Sequence, residues 1–464
     1  MRTRNPKNAD LPATISFWLL TTFIAILWIA GGASRPDQLG QPLTRLAAWA
    51  ILIPVFVLLP LPDLKRLKPV AILLGLSLLL VALQLVPLPP SMWGSLPGRD
   101  LFWQAALVSN EPQAWRPLSI VPEGTVNALG SLVVPCLFLA LMAHFGRDQD
   151  WRLLTVILLA VVAGSLLGAI QFSGSRFENP LINDSAGLVT ANFANRNHFA
   201  LFAALGCLIA PTWGFAVGRQ TKWKMVTSLA LIPFFALIIL STGSRMGLVT
   251  GALGIALGLA AVRVPVSQEL SRLSRPVAIA LVVTAVAILI GGVILSIVLD
   301  RAYSVERSGI DVLAEDLRVE ALPFVLQAIG RYFPVGAGFG TFDPIYRIME
   351  SDEVLRTSYM NEAHNDWLQV PLEGGLAGIL LLLGAVGWWI YASIGAWFRS
   401  QATGALARVG SAALLLIMIA SIVDYPARTP MVMGLVIVCA VWLARSGRNL
   451  TGRAADRGSK KRAE

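Results

Sequence analysis

Two of the three histidines in this chain lie in polar runs that border long apolar stretches. His198 ends the run 195–198 (NRNH), and His364 lies in the middle of the run 362–366 (EAHND). Polar groups resist burial, so such runs beside apolar stretches indicate a function. A histidine titrates near neutral pH, which makes His364 a candidate for accepting or orienting a proton. Helix capping by asparagine or aspartate is the structural alternative for either run.

Two arginines are candidates for binding an anionic group. Arg245 ends the run 241–245 (STGSR), a tight turn between two apolar stretches, so it must lie close to their ends. Arg318 lies on a predicted amphipathic helix, 311–330. Guanidinium groups bind phosphate through two hydrogen bonds and stay charged where the dielectric constant is low. For Arg318, ion pairing with acids of the same helix is the alternative.

Arginines, a histidine and amides that share one face of a membrane would suit an anionic lipid headgroup, specifically a diphosphate, together with a general base. Outside the cell ATP is scarce, so an enzyme there must use an activated donor, such as a sugar on a polyprenyl diphosphate. The arginines would stabilise the charge that develops on the departing diphosphate. The sequence has no HExxH motif, no paired cysteines and no DxD-like pair, so no metal ion is expected.

The elements that position these residues have the composition of a membrane protein. The chain is 56% hydrophobic and 14% charged, whereas soluble proteins carry roughly 25% charged residues. Apolar runs long enough to cross ~30 Å of hydrocarbon recur along it, and at this length they form helices rather than barrel strands. We therefore predict an all-α integral membrane protein with about twelve transmembrane helices. The predicted segments are 14–32, 44–61, 69–87, 125–144, 152–173, 198–218, 225–242, 246–264, 277–299, 366–396, 408–425 and 430–446.

The distribution of basic residues orients these helices. With both termini in the cytoplasm, every lysine of the chain falls in a cytoplasmic segment, including the basic tail 447–464. The runs around His198 and His364 and the turn at Arg245 then lie on the outer, periplasmic face. Lys and Arg (37) exceed Asp and Glu (27). Anionic lipid at the cytoplasmic face explains this excess, and no nucleic-acid partner is expected.

The whole chain, 1–464, is predicted to form a single membrane domain with two notable external loops. The first, 88–124, is rich in tryptophan, which favours the headgroup level of a membrane, so we expect an interfacial segment. The second, 300–365, is a large periplasmic loop between the ninth and tenth helices and is expected to hold catalytic residues. It includes the amphipathic helix 311–330, in which Pro323 could cause a kink or a division.

Two glycine patterns have structural interpretations. The run 336–340 (GAGFG) lacks the lysine and the hydroxyl residue of a P-loop, so we interpret it as a flexible loop. Four other glycines share one face of the eighth predicted helix, and such a stripe lets helices pack closely. They are Gly247, Gly251, Gly254 and Gly258. We expect the stripe to fix the helix that follows Arg245.

Taken together, the motifs resemble those of the O-antigen ligase and polymerase superfamily in order and spacing, from about residue 150 to about residue 440. The matching motifs are 190–200 (TANFANRNHFA), 241–245 (STGSR), Arg318, 334–342 (PVGAGFGTF), 363–369 (AHNDWLQ) and 373–378 (EGGLAG). The entry of His-Asn-Asp into a helix is fairly specific, whereas the glycine run alone is weak. Residues 244–247 read Ser-Arg-Met-Gly where many relatives have Ser-Arg-Gly-Gly or Ser-Arg-Ala, a change expected to affect packing rather than charge.

The resemblance implies a metal-independent, inverting glycosyltransferase with a twelve-helix body and no cofactor. Arg245 and Arg318 match the arginines that grip the carrier diphosphate, and Arg196 is placed with them. His364 matches the catalytic histidine of the loop, which acts on the acceptor. The residues expected to support this site are His198, Asn195, Asn365 and Asp366.

The implied donor is a glycan on undecaprenyl diphosphate, in the inner membrane of a bacterium. The acceptor is the lipid A-core for a ligase, another lipid-linked repeat unit for a polymerase, and a protein serine for some relatives; we favour the ligase slightly. Membrane lipids are the other expected partners. A transporter or flippase is the alternative from a different class, but such proteins tend to carry charged groups near the bilayer midplane. Here the predicted spans are nearly free of charge, and the polar groups cluster at one face.

Overall fold

A computed structural model shows how the chain folds. It describes residues 11–175, 177–182, 187–216, 221–270, 291, 310–352, 360–399 and 404–445, and within these the side chains of 66, 270, 310–318 and 399 lie outside the description. The predicted basic tail 447–464 also lies outside the described residues.

Helices make up most of the described chain. In chain order they are α1 (Leu11–Ala30), α2 (Gly40–Leu58), α3 (Lys68–Leu83), α4 (Pro90–Gly94), α5 (Asp100–Val108), α6 (Pro122–Ser131), α7 (Val133–Met142), α8 (Arg147–Phe172), α9 (Arg196–Phe215), α10 (Lys222–Ser241), α11 (Arg245–Ala261), α12 (Arg263–Leu270), α13 (Ile310–Tyr332), α14 (Phe342–Met349), α15 (Asp366–Ile394), α16 (Ala405–Ala420) and α17 (Pro430–Ala444). Short 3-10 turns lie at Leu64–Leu67 and Pro426–Arg428, and a π turn at Gly395–Arg399. One antiparallel pair joins β1 (Pro87–Leu88) to β2 (Arg116–Pro117).

Seven helical stretches in the described part of the chain are long and apolar enough to cross a membrane. They are α1, α2, α6 with α7, α8, α9, α10, and α15 with its π turn. The pair α11 and α12, bent by 77°, would be an eighth, while α3, α16 and α17 are shorter apolar helices. The protein is therefore an all-helical, multi-pass membrane protein. A helix lies on every predicted segment except 277–299, which apart from Gly291 is not described, so the count of twelve stays a prediction.

Helix α9 is almost entirely buried and forms the centre of the bundle. The glycine stripe packs α11 against it. A Cβ at Gly247 would lie 2.5 Å from a side chain of α9, and one at Gly254 or Gly258 would lie 2.7 Å from a backbone oxygen of α9. The fourth glycine, Gly251, faces α10 instead. The predicted close packing is confirmed, and it fixes Arg245, at the start of α11, beside the start of α9.

The predicted amphipathic helix is present as α13. Its buried positions are Ala321, Val325, Ala328 and Tyr332, which follow one another by four, three and four residues along one face. Pro323 does not interrupt the helix. The more N-terminal apolar positions of the prediction have side chains outside the description.

The loop around 88–124 is folded against the rest of the protein. Arg99 is fully buried and donates hydrogen bonds to the carbonyl oxygens of Pro97, Leu118 and Gly336, at 2.8, 2.6 and 3.1 Å. Burial lowers the pKa of Arg99 to about 10, so it stays charged at neutral pH. Trp93 of this loop is buried whereas Trp115 is exposed, and the interfacial position of the loop stays a prediction.

The glycine run 336–340 is a packed turn, not a flexible loop. The amides of Ala337 and Gly338 donate to the carbonyl oxygens of Leu372 and Glu373, both at 2.9 Å. Its three glycines have positive φ, and a Cβ at Gly338 would lie 2.3 Å from the Ser119 hydroxyl oxygen. The expectation of a flexible loop was wrong. These glycines allow neighbouring atoms to approach the backbone closely and allow a positive φ, and they do not indicate mobility.

Candidate functional site

One buried carboxylate joins the two histidine runs. Asp424 lies between α16 and α17 and is 1% exposed. Its Oδ2 accepts hydrogen bonds from Nδ2 of Asn195 and of Asn197, at 2.9 and 2.8 Å. Its Oδ1 lies 3.3 Å from Nε2 of His198 and 3.4 Å from Nδ1 of His364. The two runs, distant in sequence, therefore meet at Asp424.

The runs 195–198 and 362–366 lie at the starts of α9 and α15, which brings both to Asp424. Asn195 caps α9 by accepting from the Asn197 amide at 2.8 Å, and Asn365 caps α15 by accepting from the Leu368 amide at 3.2 Å. The capping interpretation therefore holds for both asparagines. Asn195 has a second role, since its amide nitrogen also binds Asp424. Capping and a shared site are thus compatible.

The electrostatics of Asp424 set the state of its neighbours. Burial alone would raise the pKa of this carboxyl, but the interactions with His198 and His364 hold it well below its usual range. Asp424 is therefore an anion at neutral pH, and its charge favours a proton on the nitrogen that faces it. For His364 that nitrogen is Nδ1, which is buried, while the side chain as a whole is 19% exposed. Nε2 is thus the atom that could exchange a proton with a bound molecule.

His198 and Tyr425 form the buried backing of His364. His198 is 2% exposed, so its ring is covered by the protein, and its supporting role stays a prediction. The ring of Tyr425 lies edge-on to both histidines, with centroids 5.2 Å from His198 and 4.8 Å from His364. His364 has a φ of 49°, a left-handed conformation that is uncommon for a side chain of this size.

A second charged cluster centres on Arg428. Its guanidinium lies 3.4 Å from Glu362, 3.0 Å from Asp366 and 3.2 Å from Glu373. Burial raises the pKa of Glu362 to about 7, which outweighs the opposing effect of Arg428. Gln369 donates to Glu362 and, at 3.0 Å, to Glu373. This cluster borders His364 on both sides in sequence.

The same cluster reaches the glycine turn through a break in α15. Gly375 has φ 56° and ψ −147°, so the helix changes course there. A Cβ at Gly375 would lie 2.2 Å from the Pro334 oxygen, and the Leu376 amide donates to that oxygen at 2.8 Å. Oε1 of Glu373 accepts from the Gly340 amide at 3.1 Å. The break therefore couples the start of α15 to the turn 336–340.

The structure describes the side chains of two of the three predicted arginines, Arg245 and Arg196. Ser244 caps α11 and donates to Oδ1 of Asn197 at 2.7 Å, so Arg245, the next residue, begins its helix beside the Asp424 cluster. The Arg245 side chain is exposed. Arg196 has a guanidinium nitrogen 3.7 Å from the Cβ position of Gly243, within the turn that carries Arg245. The side chain of Arg318 lies outside the described residues, so its place in the site stays a prediction.

Sequence reasoning missed Asp424, Tyr425 and Arg428. It placed Gln369 and Glu373 in matching motifs but gave them no role in the site. A signal was present in 424–428 (DYPAR), which puts an acid and a base in the short connection between the last two apolar segments. Within the described residues, no group of three or more His, Cys, Asp or Glu side chains could hold a metal ion.

Comparison with known proteins bears on the central part of the chain. A family model described as O-antigen ligase matches residues 228–383, which confirms the resemblance to that superfamily. The matched range begins in α10, ends in α15 and includes Arg245, Arg318 and His364, but not Asp424 or Arg428. No curated protein matches the chain.

Proposed function

Residues 228–383 match the O-antigen ligase family, and on this premise we propose that the chain is a metal-independent, inverting glycosyltransferase. It moves a glycan from undecaprenyl diphosphate to an acceptor hydroxyl at the periplasmic face of the bacterial inner membrane, with both termini in the cytoplasm. The match supports a transferase of the O-antigen ligase or polymerase type in general. The observation that carries the finer proposal is the contact between Asp424 and His364.

His364 is the proposed general base. Asp424 favours a proton on Nδ1, which leaves the lone pair of Nε2 to act as the base, on a side chain that is 19% exposed. Nε2 takes the proton of the acceptor hydroxyl as its oxygen bonds to the anomeric carbon of the sugar. The bond from that carbon to the diphosphate breaks on the opposite face, which inverts the configuration. Asp424 then stabilises the imidazolium that has formed.

The departing diphosphate needs positive charge, which we assign to Arg245, with Arg196 and Arg318. Helices α9 and α11 begin side by side, joined by the hydrogen bond from Ser244 to Asn197. The N-terminus of a helix favours a bound anion. The starts of α9 and α11 and their arginines therefore all favour binding of the diphosphate. The arginines stabilise the transition state because the charge on the diphosphate grows as its bond to the sugar breaks.

An apolar groove supports a lipid-linked donor. It has a volume of about 460 Å³ and lies beside the break in α15. Its apolar walls include Leu80, Leu83, Val335, Leu376 and Leu380. Leu376 and Leu380 are exposed, so in a multi-pass membrane protein the groove opens toward lipid. We assign it to the polyprenyl chain of the donor, because Gly374 in its wall adjoins Glu373 of the charged cluster.

The acceptor is most simply the lipid A-core, which would make the protein an O-antigen ligase. A polymerase that extends another lipid-linked repeat unit is the second candidate, and transfer to a protein is the third. A transporter or flippase is the last alternative. Against it, the charged contacts among Asp424, Arg428, His364 and Glu362 lie where α9, α15 and α17 begin, not halfway along the spans.

A deletion strain complemented with variants tests the proposal. Loss of glycan-capped lipopolysaccharide, with long carrier-linked chains accumulating, identifies a ligase, whereas caps of a single repeat identify a polymerase. His364→Ala should fail to restore the glycan although the protein is inserted and folded. His144→Ala is the matched control, because His144 lies at the other end of the bundle against the Pro60 oxygen. A fully complementing His364→Ala variant would refute the base assignment.

A further inference from the structure

We propose that Arg428 is a positioning residue that fixes the His364 turn, and this inference rests on the proposed transferase function. Its guanidinium pairs with the carboxylates on either side of His364. In doing so it holds the backbone of 362–366 in the conformation that points the His364 ring at Asp424.

The geometry of the turn carries this inference. Glu362 precedes His364 by two residues and Asp366 follows it by two. Nη1 of Arg428 lies 3.4 Å from Oε2 of Glu362, and its Nε lies 3.0 Å from Oδ1 of Asp366. One rigid, planar group therefore spans the turn. His364 at its centre has φ 49°, a conformation that costs free energy and persists only when surrounding contacts hold it.

The segment 421–428 contacts both the ring of His364 and the backbone of the turn around it. Asp424 faces the His364 ring, and Arg428 follows it by four residues. Ser421 lies just before them. Its hydroxyl donates to Oδ2 of Asp366 at 3.1 Å, and its carbonyl oxygen accepts from the Asp366 amide at 3.0 Å. Both the ring and the turn of His364 are thus fixed to 421–428, so they cannot shift independently.

Arg428 also connects this turn to the glycine turn. Its Nη2 lies 3.2 Å from Oε2 of Glu373, which is fully buried, and Oε1 of the same carboxylate accepts from the Gly340 amide. A guanidinium held by three protein carboxylates is not available to neutralise a diphosphate. We therefore assign Arg428 to positioning and not to diphosphate binding.

Removal of Arg428 should act on the rate of transfer and not on donor binding. Without it, the carboxyl groups of Glu362, Asp366 and Glu373 lose the cation that holds them together, so they repel one another or take up protons, and the turn rearranges. Displacement of a catalytic group costs on the order of 100-fold in rate. For Arg428→Gln we therefore expect kcat to fall about 100-fold, while the KM for the donor stays within about twofold of the wild-type value.

The experiment uses the full-length protein in lipid nanodiscs with a glycan on polyprenyl diphosphate as donor. Arg428→Lys keeps the positive charge but lacks the planar guanidinium that reaches several carboxylates, so its kcat should lie between those of Arg428→Gln and the wild type. Arg347→Gln is the matched control, because it breaks an exposed ion pair with Asp343, and it should behave as wild type. If Arg428 acts through Glu362, the Glu362→Gln, Arg428→Gln double variant is no slower than Arg428→Gln alone.

The outcomes separate this inference from the proposed function. A wild-type protein that transfers no glycan contradicts the proposed function, and the inference with it. An active wild type whose Arg428→Gln variant keeps its kcat, or mainly raises the donor KM, contradicts the inference alone. If Arg428→Gln does not fold, Arg428→Lys and Glu362→Gln decide: a lowered kcat at unchanged donor KM supports positioning, and wild-type kcat in both overturns it.

Discussion

Nδ1 of His364 lies 3.4 Å from the buried carboxylate of Asp424, although α15 and α16 separate the two residues in the chain. Its other contacts include hydrogen bonds from Asn195 and Asn197, and its Oδ1 lies 3.3 Å from Nε2 of His198. In the proposed mechanism this carboxylate favours a proton on Nδ1 of His364 and leaves Nε2 as the base.

Asp424→Asn should lower kcat by on the order of 10²–10⁴-fold, the range for loss of general acid–base catalysis. An amide is neutral and can donate to Nδ1, which moves the proton of His364 to Nε2 and blocks it as a base. The donor KM should change little because Asp424 is buried away from the substrate. Transfer rates in nanodiscs measure this effect, with Asp343→Asn as the exposed control. Wild-type turnover by Asp424→Asn would show that the tautomer of His364 does not matter.

Arg245→Lys should weaken donor binding by about 1.5–3 kcal/mol, the value of a charge-assisted contact, because lysine lacks the bidentate geometry. The measurement is the affinity of the protein for the polyprenyl diphosphate donor, with Arg347→Lys as the control. Unchanged affinity would make Arg245 a surface ion-pair residue only. The exposed position of Arg245 at the start of α11 means that folding should be preserved.

The pKa of Glu362, raised to about 7 from its ordinary 4.5, predicts a pH-dependent stability. Between these values the folded protein binds more protons at Glu362 than the unfolded chain does, so stability falls as pH rises through this window. Glu362→Gln removes the titration. The Tm of wild type minus that of Glu362→Gln should therefore decrease from about pH 5 to about pH 7.

The neighbours of Glu362 titrate or hold charge as well, namely Arg428, Glu373 and Asp366. Both proteins keep these three groups, so the difference in Tm reports the titration that depends on Glu362, including its coupling to them. Glu123→Gln, at an exposed glutamate, should leave the pH dependence of wild type unchanged. A constant difference in Tm across the window would mean that Glu362 is ionised in the folded protein as it is in the unfolded chain.

Gly338→Ala should destabilise the protein more than Gly174→Ala. Both glycines have φ near 100°, at 108° and 100°, so both variants carry the cost of a left-handed residue, roughly 1–2 kcal/mol. Only at Gly338 does the new Cβ also meet an atom, Oγ of Ser119 at 2.3 Å, whereas nothing lies within 4 Å at Gly174. Overpacking of this kind adds about 1–3 kcal/mol. Thermal unfolding of the two variants in detergent gives the comparison, and equal losses would rule out a packed glycine turn.

The sequence predicted the helices well because membrane helices have a length and composition that few other elements share. It also identified both polar runs, since asparagine and histidine beside apolar segments stand out. The capping of α9 by Asn195 and the buried face of α13 at Ala321 and Ala328 follow from local rules of the same kind. Local patterns were thus sufficient for the elements and for the residues that begin them.

The centre of the site could not be predicted in the same way. Asp424 and Arg428 are single charges in a short connection, and their partners come from helices far away in the chain. The glycine run was misjudged because composition shows which φ angles are accessible, not which backbone packs against them. The burial of Trp93 was not predicted, since an indole can be covered by its own loop, where it donates to the Pro117 oxygen at 2.8 Å.

The break at Gly375 has a consequence for the depth of the site in the membrane. The part of the helical stretch after the break, 376–398, rises roughly 35 Å at 1.5 Å per residue, which is already enough to cross ~30 Å of hydrocarbon. The part before it, 366–374, is therefore left over from the span and extends beyond the hydrocarbon by roughly 14 Å. On the proposed function, this places His364 at or above the headgroups, where the acceptor hydroxyl would reach it from water while the lipid chain of the donor stays below.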